Sequence, residues 1–251
     1  PGNGLIVTPL LDGNLHEVLD MGCWSPLEHF DVEELALWHT RGATADGRRF
    51  QLVCDMQPVA EVNWDQTGRY NVANALAAIA AARHAGVPPA AAANALSAFQ
   101  GVKRRLELKG EVGGVRVYDD FAHHPTAIGA TLEGLRARVG RQRILALLEP
   151  RSNTMRLGVH ADRLPAALAA ADRVFLYRPE GLAWDPEVLF RSAAGRVSLH
   201  DGIGRMVEAV IAEARPGDHL LVMSNGAFGN IHQRLLSRLE AKGGAPQSGA
   251  P

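Results

Sequence analysis

The chain has few cysteines and no long apolar run, and each shortage excludes a class of protein. Only two cysteines, Cys23 and Cys54, occur among its 251 residues, too few for the disulfide framework of a small secreted domain. No apolar stretch approaches the length that a membrane-spanning helix needs. Together these absences favour a protein of the reducing cytoplasm.

The chain also lacks an excess of charge of either sign. Its 26 basic and 27 acidic residues leave a formal net charge of -1, so no broad electrostatic footprint exists for a nucleic-acid backbone or an anionic membrane. We therefore expect a small or locally recognised partner. Independently of the charge, we expect a monomer. With 47% hydrophobic residues, the chain can bury a sizeable core in one or two domains.

Three sequence signals are missing. The chain starts at Pro1 without an initiator methionine or a basic, apolar leader, so we expect a piece of a longer polypeptide. It contains no Gly-x-x-x-x-Gly-Lys-Ser/Thr phosphate-binding loop. It also contains no complete dinucleotide fingerprint, since Gly202 and Gly204 lack the third glycine, and this disfavours an oxidoreductase.

A mixed first part of the sequence precedes a regularly alternating second part. The first part has strand-like runs at 5–7 and 50–54, then Ala-rich helical segments at 71–85 and 88–101. The second part alternates strand and helix signals, which predicts an α/β fold with a doubly wound, mostly parallel sheet. Its strands are predicted at 115–117, 144–148, 174–177, 197–199 and 220–223, and its helices from 125 and around 164–171, 188, 206–214 and 231–239.

Residues 118–126 place two carboxylates and two imidazoles between a predicted strand and a helix that begins at Pro125. Asp119, Asp120, His123 and His124 are expected on the connecting loop, and such loops form the ligand crevice of open α/β sheets. For any one of them, a helix cap or a solvated side chain is the alternative. A zinc hydrolase is disfavoured, because adjacent histidines in a loop lack the usual ligand spacing.

Two further loops follow predicted strands and are rich in polar groups. After the strand at 144–148, Arg151 offers a planar fork for carboxylate or phosphate, and Ser152 and Asn153 offer neutral hydrogen bonds. After the strand at 220–223, Ser224 and Asn225 open a Gly-containing turn in which backbone N–H groups can approach a ligand. An ordinary capped turn and an ordinary Gly-rich turn are the alternatives.

Two constellations lie upstream of these loops. Asn71 and Asn74 are three residues apart and share a helix face, where their amides suit the donor and acceptor edge of adenine. Asn71 could equally cap the helix. The basic run at 103–105 could neutralise a triphosphate or form a solvated face.

These segments together resemble the Mur ligase family. The resemblance extends nearly end to end and is carried by residues 68–78, 104–108, 118–126, 148–155 and 222–232. It implies an ATP-dependent amide ligase that joins L-alanyl-γ-D-glutamyl-meso-diaminopimelate to UDP-N-acetylmuramate through an acyl phosphate, in peptidoglycan recycling. It further implies that residues 1–102 end a central ATP-binding domain and that 103–240 form a Rossmann-like, peptide-binding C-terminal domain. Residues 241–251 are expected to be a disordered tail.

The resemblance also implies roles for individual residues. The nucleotide contacts are expected from Asn71 and Asn74 to adenine, Arg105 to the ATP phosphates and Asp120 to the ribose. The catalytic wall that faces the nucleotide and the acyl intermediate is expected from His123 and His124. The peptide contacts are expected from Arg151, Ser152, Asn153, Ser224 and Asn225. Magnesium is implied with ligands upstream of Pro1, so no metal ligand is assigned within this chain.

The sequence departs from the family pattern at several points. Tyr70 replaces the histidine that usually precedes the adenine-binding asparagines, and Ala227 and Asn230 replace glycines of the last loop. Without the phosphate-binding loop, the chain alone is expected not to ligate substrates. The alternative function is a non-catalytic α/β module that binds a nucleotide or a peptide.

Overall fold

The computed structural model describes residues 3–33 and 35–244. They divide into two compact units, the first ending at Gly101 and the second beginning at Val102. The expected disordered tail is wrong for residues 241–244, because the last helix continues through them, and residues 245–251 lie outside the described part. Among the described residues, no helix combines the length and the apolar character needed to cross a bilayer.

The first unit contains a five-stranded mixed sheet in the order β1-β2-β3-β4-β5. Its strands are β1 (Ile6–Pro9), β2 (Leu27–Asp31), β3 (Trp38–Arg41), β4 (Arg49–Cys54) and β5 (Gln57–Asn63). β1, β2 and β3 run parallel, whereas β3, β4 and β5 are antiparallel. Its helices are α1 (Gly13–Asp20), α2 (Arg69–His84) and α3 (Pro89–Ser97).

Helix α2 packs on this sheet through one apolar face. Val72, Leu76 and Ile79 are buried on that face and join a core that contains Trp38 and Phe50. The helix ends before Gly86, whose φ of 92° is a left-handed conformation that glycine adopts without strain. The face of α2 that bears the asparagines is therefore oriented by the burial of the opposite one.

The second unit contains a six-stranded sheet in the order β10-β9-β8-β11-β7-β6. Its strands are β6 (Glu107–Val112), β7 (Val115–Asp120), β8 (Ile144–Leu148), β9 (Arg173–Tyr177), β10 (Val197–His200) and β11 (His219–Met223). β7 to β11 are parallel, and only the edge strand β6 is antiparallel. This topology confirms the predicted α/β fold with a mostly parallel sheet.

Helices cover both faces of this sheet. They are α4 (Pro125–Val139), α5 (Asn153–Leu157), α6 (Leu164–Ala167), α7 (Pro186–Leu189), α8 (Ile203–Glu213) and α9 (Ile231–Gly244). Alternate residues of β8 point into two separate cores, Ile144 and Leu148 with α4 and α6, Leu145 and Leu147 with α8 and α9. Burial on both faces explains why β8 is an unbroken apolar run in the sequence.

Three local expectations are wrong. Asp119 and Asp120 are the last residues of β7 and are not on a loop, because they continue the ladder with β11 as far as Met223. The helix expected over 88–101 ends at Ser97. The helix expected over 164–171 ends at Ala167, since the chain then turns to enter β9.

Candidate functional site

Three loops of the second unit meet at the carboxyl edge of its sheet because the strands before them end level with one another. Met223 of β11 pairs with Asp120 of β7 and with Leu148 of β8. Beyond these pairs, the Ser224 N–H donates to the Asp120 carbonyl at 3.2 Å, and the Glu149 N–H donates to the Met223 carbonyl at 3.1 Å. We call residues 119–124, 149–153 and 224–230 the strand-end cluster.

Arg104 connects two of the three loops of the strand-end cluster. Its guanidinium donates to the backbone carbonyls of Ser224 and, at 3.0 Å, of Gly226, and its Nε lies 3.3 Å from a carboxylate oxygen of Asp119. The same guanidinium lies over the Phe121 ring, 5.1 Å from its centroid. Arg104 therefore fixes the turn after β11 against the end of β7.

Asp119 is a buried carboxylate with two basic neighbours. Beside Arg104, the His232 Nε2 atom of α9 lies 3.3 Å from Asp119 Oδ1. Burial disfavours the charged carboxylate, but the hydrogen bond and charge of His232 together with Arg104 outweigh it and hold the pKa of Asp119 below its usual value. Asp119 is thus an anion that helps to hold Arg104 in position.

Asp120 is fully buried, and its carboxylate is occupied by the protein itself. It accepts hydrogen bonds from the backbone N–H groups of Ala122 at 2.7 Å and Leu106 at 2.8 Å, and from the Thr131 hydroxyl at 3.4 Å. Burial raises the pKa of Asp120 in spite of these donors. The structure thus gives this carboxylate a role in shaping the loop after β7, and ribose binding stays a prediction.

Arg105, predicted to contact the ATP phosphates, differs sharply from its neighbour Arg104. Its side chain is exposed, and the structure assigns it no hydrogen bond or ion pair within the described ranges. Only its backbone N–H is engaged, donating to the Val102 carbonyl at 3.2 Å. Its positive charge favours the ionised form of Asp120. The Arg105 guanidinium is thus available to an anionic ligand.

His123 and His124 occupy two different environments. His124 is the N-cap of α4, where its Nδ1 accepts from the Thr126 N–H at 3.4 Å. Burial, followed by the neighbouring His160 and Arg163, lowers the pKa of His124, which favours the neutral ring that capping requires. His123 instead directs its Nδ1 at the Phe121 carbonyl, 2.7 Å away, so that nitrogen carries the hydrogen.

Ser224 is buried and joins the loops that follow β8 and β11. Its hydroxyl donates to the Glu149 carboxylate and accepts from the Gly226 N–H at 2.9 Å. Arg151 lies directly over Gly226, where a β-carbon would come within 2.0 Å of the Arg151 Nη1. A glycine is thus required for the exposed Arg151 to cross to this loop.

The other residues predicted to bind peptide differ in how free they are. Ser152 is the N-cap of α5 and accepts from the Met155 N–H at 3.3 Å, whereas Asn153 is exposed at the first position of that helix. The Asn225 Oδ1 atom is buried and has no hydrogen-bond partner in the described part of the chain. Because buried polar atoms are normally paired, the Oδ1 atom of Asn225 is a candidate to accept a hydrogen bond from a ligand.

In the first unit, Asn71 and Asn74 lie on the predicted helix, α2. The Asn71 side-chain amide donates to the Thr67 carbonyl at 2.8 Å, so Asn71 fixes the start of the helix, where Gly68 provides no side-chain cap. Asn74 is exposed. The amide of Asn74 is therefore the more accessible of the two.

Residues that the sequence did not single out also shape the site. Arg104, Glu149 and His232 each contact a predicted site residue or hold its loop in place. In the sequence, these three residues are marked only by lying within the segments 104–108, 148–155 and 222–232, which resemble the family. Their contacts could not be predicted, because their partners are distant in sequence. Over the described ranges, no group of three or more His, Cys, Asp or Glu side chains is placed to hold a metal ion.

Comparison with known proteins finds several similar chains. Residues 104–226 match the family described as "Mur ligase, glutamate ligase domain". The chain is 48% identical over 248 residues, 98% of its length, to the UDP-N-acetylmuramate–L-alanyl-γ-D-glutamyl-meso-2,6-diaminoheptandioate ligase of Escherichia coli K12. It is 45% identical over 243 residues to the ligase of the same name from Haemophilus influenzae.

A solved structure is also similar to this chain in sequence and in fold. The murein peptide ligase of Psychrobacter arcticus is 38% identical, with a TM-score of 0.71 over 96% of this chain and 52% of its own. The chain spans 54% of the E. coli protein and 53% of the Haemophilus protein, about half the length of these curated relatives. By its sequence and its fold, the chain belongs to the Mur ligase family.

Proposed function

We propose that this chain is part of an ATP-dependent ligase that joins the tripeptide L-alanyl-γ-D-glutamyl-meso-diaminopimelate to UDP-N-acetylmuramate in the bacterial cytoplasm. The observation that carries the proposal is the 48% identity, over nearly the whole chain, to the E. coli ligase whose name states this substrate pair. The first unit is then the C-terminal part of a central ATP-binding domain, and the second unit is the peptide-binding domain.

The strand-end cluster supports a peptide site. Arg151 presents an exposed planar fork held over Gly226, which suits a peptide carboxylate. The buried, unpaired Asn225 Oδ1 can accept an N–H from the peptide backbone. Ser224, whose hydroxyl is engaged by Glu149 and Gly226, positions this loop, while Ser152 and Asn153 border it at the start of α5.

The nucleotide contacts are supported more unevenly. Arg105 keeps an exposed guanidinium for a phosphate and Asn74 an exposed amide for the base, whereas Asn71 and Asp120 have intramolecular partners.

The proposed reaction begins when the lactyl carboxylate attacks the γ-phosphorus of ATP and ADP leaves. The alanyl amine then attacks the acyl carbon, and phosphate leaves with the bond electrons. Magnesium, bound by residues outside this chain, would neutralise phosphate charge.

The two histidines fit different parts in this reaction because their tautomers differ. In the tautomer with its hydrogen on Nδ1, His123 has a lone pair on Nε2 that can accept a proton from the attacking amine. With Nδ1 accepting in the helix cap, neutral His124 has its hydrogen on Nε2 and can donate to an oxygen of the acyl intermediate. The pair thus offers one acceptor and one donor.

Titration calorimetry tests the peptide site on the 251-residue chain itself. We expect the chain to bind the tripeptide and Arg151→Gln to weaken binding by about tenfold, the loss of one charge-assisted contact. The control Arg116→Gln removes a partly exposed arginine that pairs with Glu111 and should leave binding unchanged. Absence of tripeptide binding by the wild-type chain would overturn the proposal.

A second experiment separates a part of a ligase from the alternative, a module that binds without catalysis. The alternative is favoured by the missing phosphate-binding loop, which also leads us to expect no turnover from this chain alone. The genomic sequence directly before the codon for Pro1 discriminates the two. An in-frame Gly-x-x-x-x-Gly-Lys-Ser/Thr motif supports the ligase, and an in-frame stop codon supports the module.

A further inference from the structure

A cavity of about 980 Å³ opens beside the strand-end cluster, at the carboxyl ends of β9 and β10. It is lined by residues 177–187 and Asp201, and we call it the β9 pocket. None of the residues discussed so far as site residues lines it. Its walls combine one arginine, Arg178, with the acidic side chains Glu180, Asp185, Glu187 and Asp201 and the indole of Trp184.

The β9 pocket is physically joined to the strand-end cluster on two sides. Next to the loop after β8, the Trp184 indole N–H donates to the Met155 carbonyl at 2.7 Å, and the Ala183 N–H donates to the Arg156 carbonyl at 2.8 Å. Next to the loop after β11, the Tyr177 ring packs 5.8 Å from that of Phe228. A ligand held by the cluster can therefore continue into the pocket.

Several charged groups of the pocket are only weakly engaged by the protein. The Arg178 Nη1 atom lies 3.7 Å from the Glu187 Oε1 atom, and the two side chains are 46% and 72% exposed. The Glu180 carboxylate has no hydrogen bond or ion pair with any residue that the structure describes, although its backbone carbonyl accepts from Arg156 at 3.0 Å. The pocket can thus offer both a cation and carboxylates to an incoming ligand without breaking strong internal pairs.

The substrate that the curated relatives' name states has a matching end. Of the two amino groups of meso-2,6-diaminoheptandioate, one is consumed in the amide bond to glutamate, which leaves a free amino-acid head at the far end, with one ammonium and one carboxylate. The four carbon–carbon bonds between its two α-carbons span about 5 Å when extended. This span is close to the distance between adjacent strands, about 4.8 Å. Arg151 and Arg178 follow two such strands, β8 and β9.

We infer that the β9 pocket is the subsite for the free amino-acid head of the peptide's terminal diaminopimelate, with Arg178 binding its carboxylate and Glu180 and Glu187 its ammonium. The inference rests on the proposed function and deepens it, because it makes this pocket the part of the site that recognises the third residue. The Trp184 indole provides an apolar wall for the methylene chain. A peptide ending in lysine would keep the ammonium contacts and lose that of Arg178.

Calorimetry on the 251-residue chain compares three ligands: the tripeptide ending in diaminopimelate, the same tripeptide ending in lysine, and the dipeptide L-alanyl-γ-D-glutamate. We expect wild type to prefer diaminopimelate over lysine by about tenfold and Arg178→Gln to abolish that preference, since one charge-assisted contact is removed. Binding of the lysine peptide and of the dipeptide should not change in this variant. Arg116→Gln serves again as the control.

A site-specific readout complements the affinities. Trp184 is one of four tryptophans, and its indole N–H resonance can be assigned by its loss in Trp184→Phe. We expect that resonance to shift on addition of the tripeptide and to stay in place with the dipeptide. If Arg178→Gln keeps the full preference for diaminopimelate while Arg151→Gln weakens binding, the subsite is wrong and the proposed function stands. If wild type binds none of the peptides, both are wrong.

Discussion

The Ser224 hydroxyl donates to the Glu149 carboxylate, so a single side chain ties the turn after β11 to the turn after β8. The same oxygen accepts from the Gly226 N–H at 2.9 Å, which fixes the hydroxyl orientation. Both turns bear residues proposed to bind the peptide. The hydrogen bond therefore couples the stability of the second unit to the shape of the candidate site.

Replacing Ser224 with alanine tests this coupling. We expect Ser224→Ala to lower the free energy of unfolding of the second unit by about 1–2 kcal/mol, because a buried hydrogen bond to a charged group is lost. Urea denaturation followed by circular dichroism measures the change. Ser237→Ala is the control, since the exposed Ser237 only accepts a 3.5 Å contact from Gln233. Equal stability of the two variants would contradict the coupling.

The adjacent arginines 104 and 105 should respond oppositely to the same substitution. Arg104→Gln removes the contacts to Asp119 and to the 224–226 turn and should cost about 2 kcal/mol of stability. Arg105→Gln removes an exposed side chain and should change stability by less than about 0.5 kcal/mol, while weakening ATP-analogue binding. Thermal denaturation and calorimetry give the two readouts. Similar stability losses in both variants would refute the assignment.

Asp119 should make the second unit sensitive to acid. Its pKa in the folded protein lies below the ordinary value of an aspartate, so its stabilising contribution is fully present above about pH 4 and is lost as pH falls through the folded pKa. Asp119→Asn should therefore be less stable than wild type at pH 7, and the difference should shrink toward pH 3. Unfolding free energies at pH 7, 4 and 3 measure it. A difference independent of pH would mean that Asp119 acts through packing alone.

Gly226→Ala should displace Arg151 without harming the fold. The added β-carbon would lie 2.0 Å from the Arg151 Nη1, and the exposed end of that side chain can swing away. We expect a tripeptide affinity about tenfold weaker, as in Arg151→Gln, with unfolding free energy within about 0.5 kcal/mol of wild type. Gly195→Ala is the control, because nothing lies within 4 Å of its β-carbon position. Unchanged affinity in Gly226→Ala would contradict the proposed role of Arg151.

The strand-end cluster could be predicted from the sequence because its physical cause is local. Apolar runs that alternate with helical patterns predict a parallel sheet, and the carboxyl ends of parallel strands lie at one edge. The segments after β7, β8 and β11 therefore had to meet, and the contacts of Ser224 with Asp120 and Glu149 confirm that they do. The roles assigned to individual side chains stay predictions.

The distinction between Arg104 and Arg105 could not be predicted, because it depends on backbone geometry and not on residue type. Arg104 has a φ of 60°, which turns its side chain toward the 224–226 turn. Its acceptors there lie about 120 residues further along the chain. From the sequence alone, the contacts of the two adjacent arginines cannot be distinguished, because the position of the 224–226 turn is not known.

The edge strand β6 cannot be predicted from the sequence either, for a different reason. It contains Gly110, and glycine weakens a strand signal. The structure explains the glycine, since a β-carbon at this position would lie 3.0 Å from the Leu236 side chain of α9. The close packing of α9 on β6 therefore favours a glycine at position 110, and this glycine weakens the strand pattern in the sequence.

The placement of β11 between β7 and β8 has a consequence for biosynthesis. Both neighbours leave the ribosome long before β11, so their facing edges have no partner until residues 219–223 have been made. During that interval the nascent sheet exposes two open edges, which is the kind of surface that chaperones cover and that aggregates form upon. A chain whose synthesis ends before His219 contains β7 and β8 but has no strand to join them.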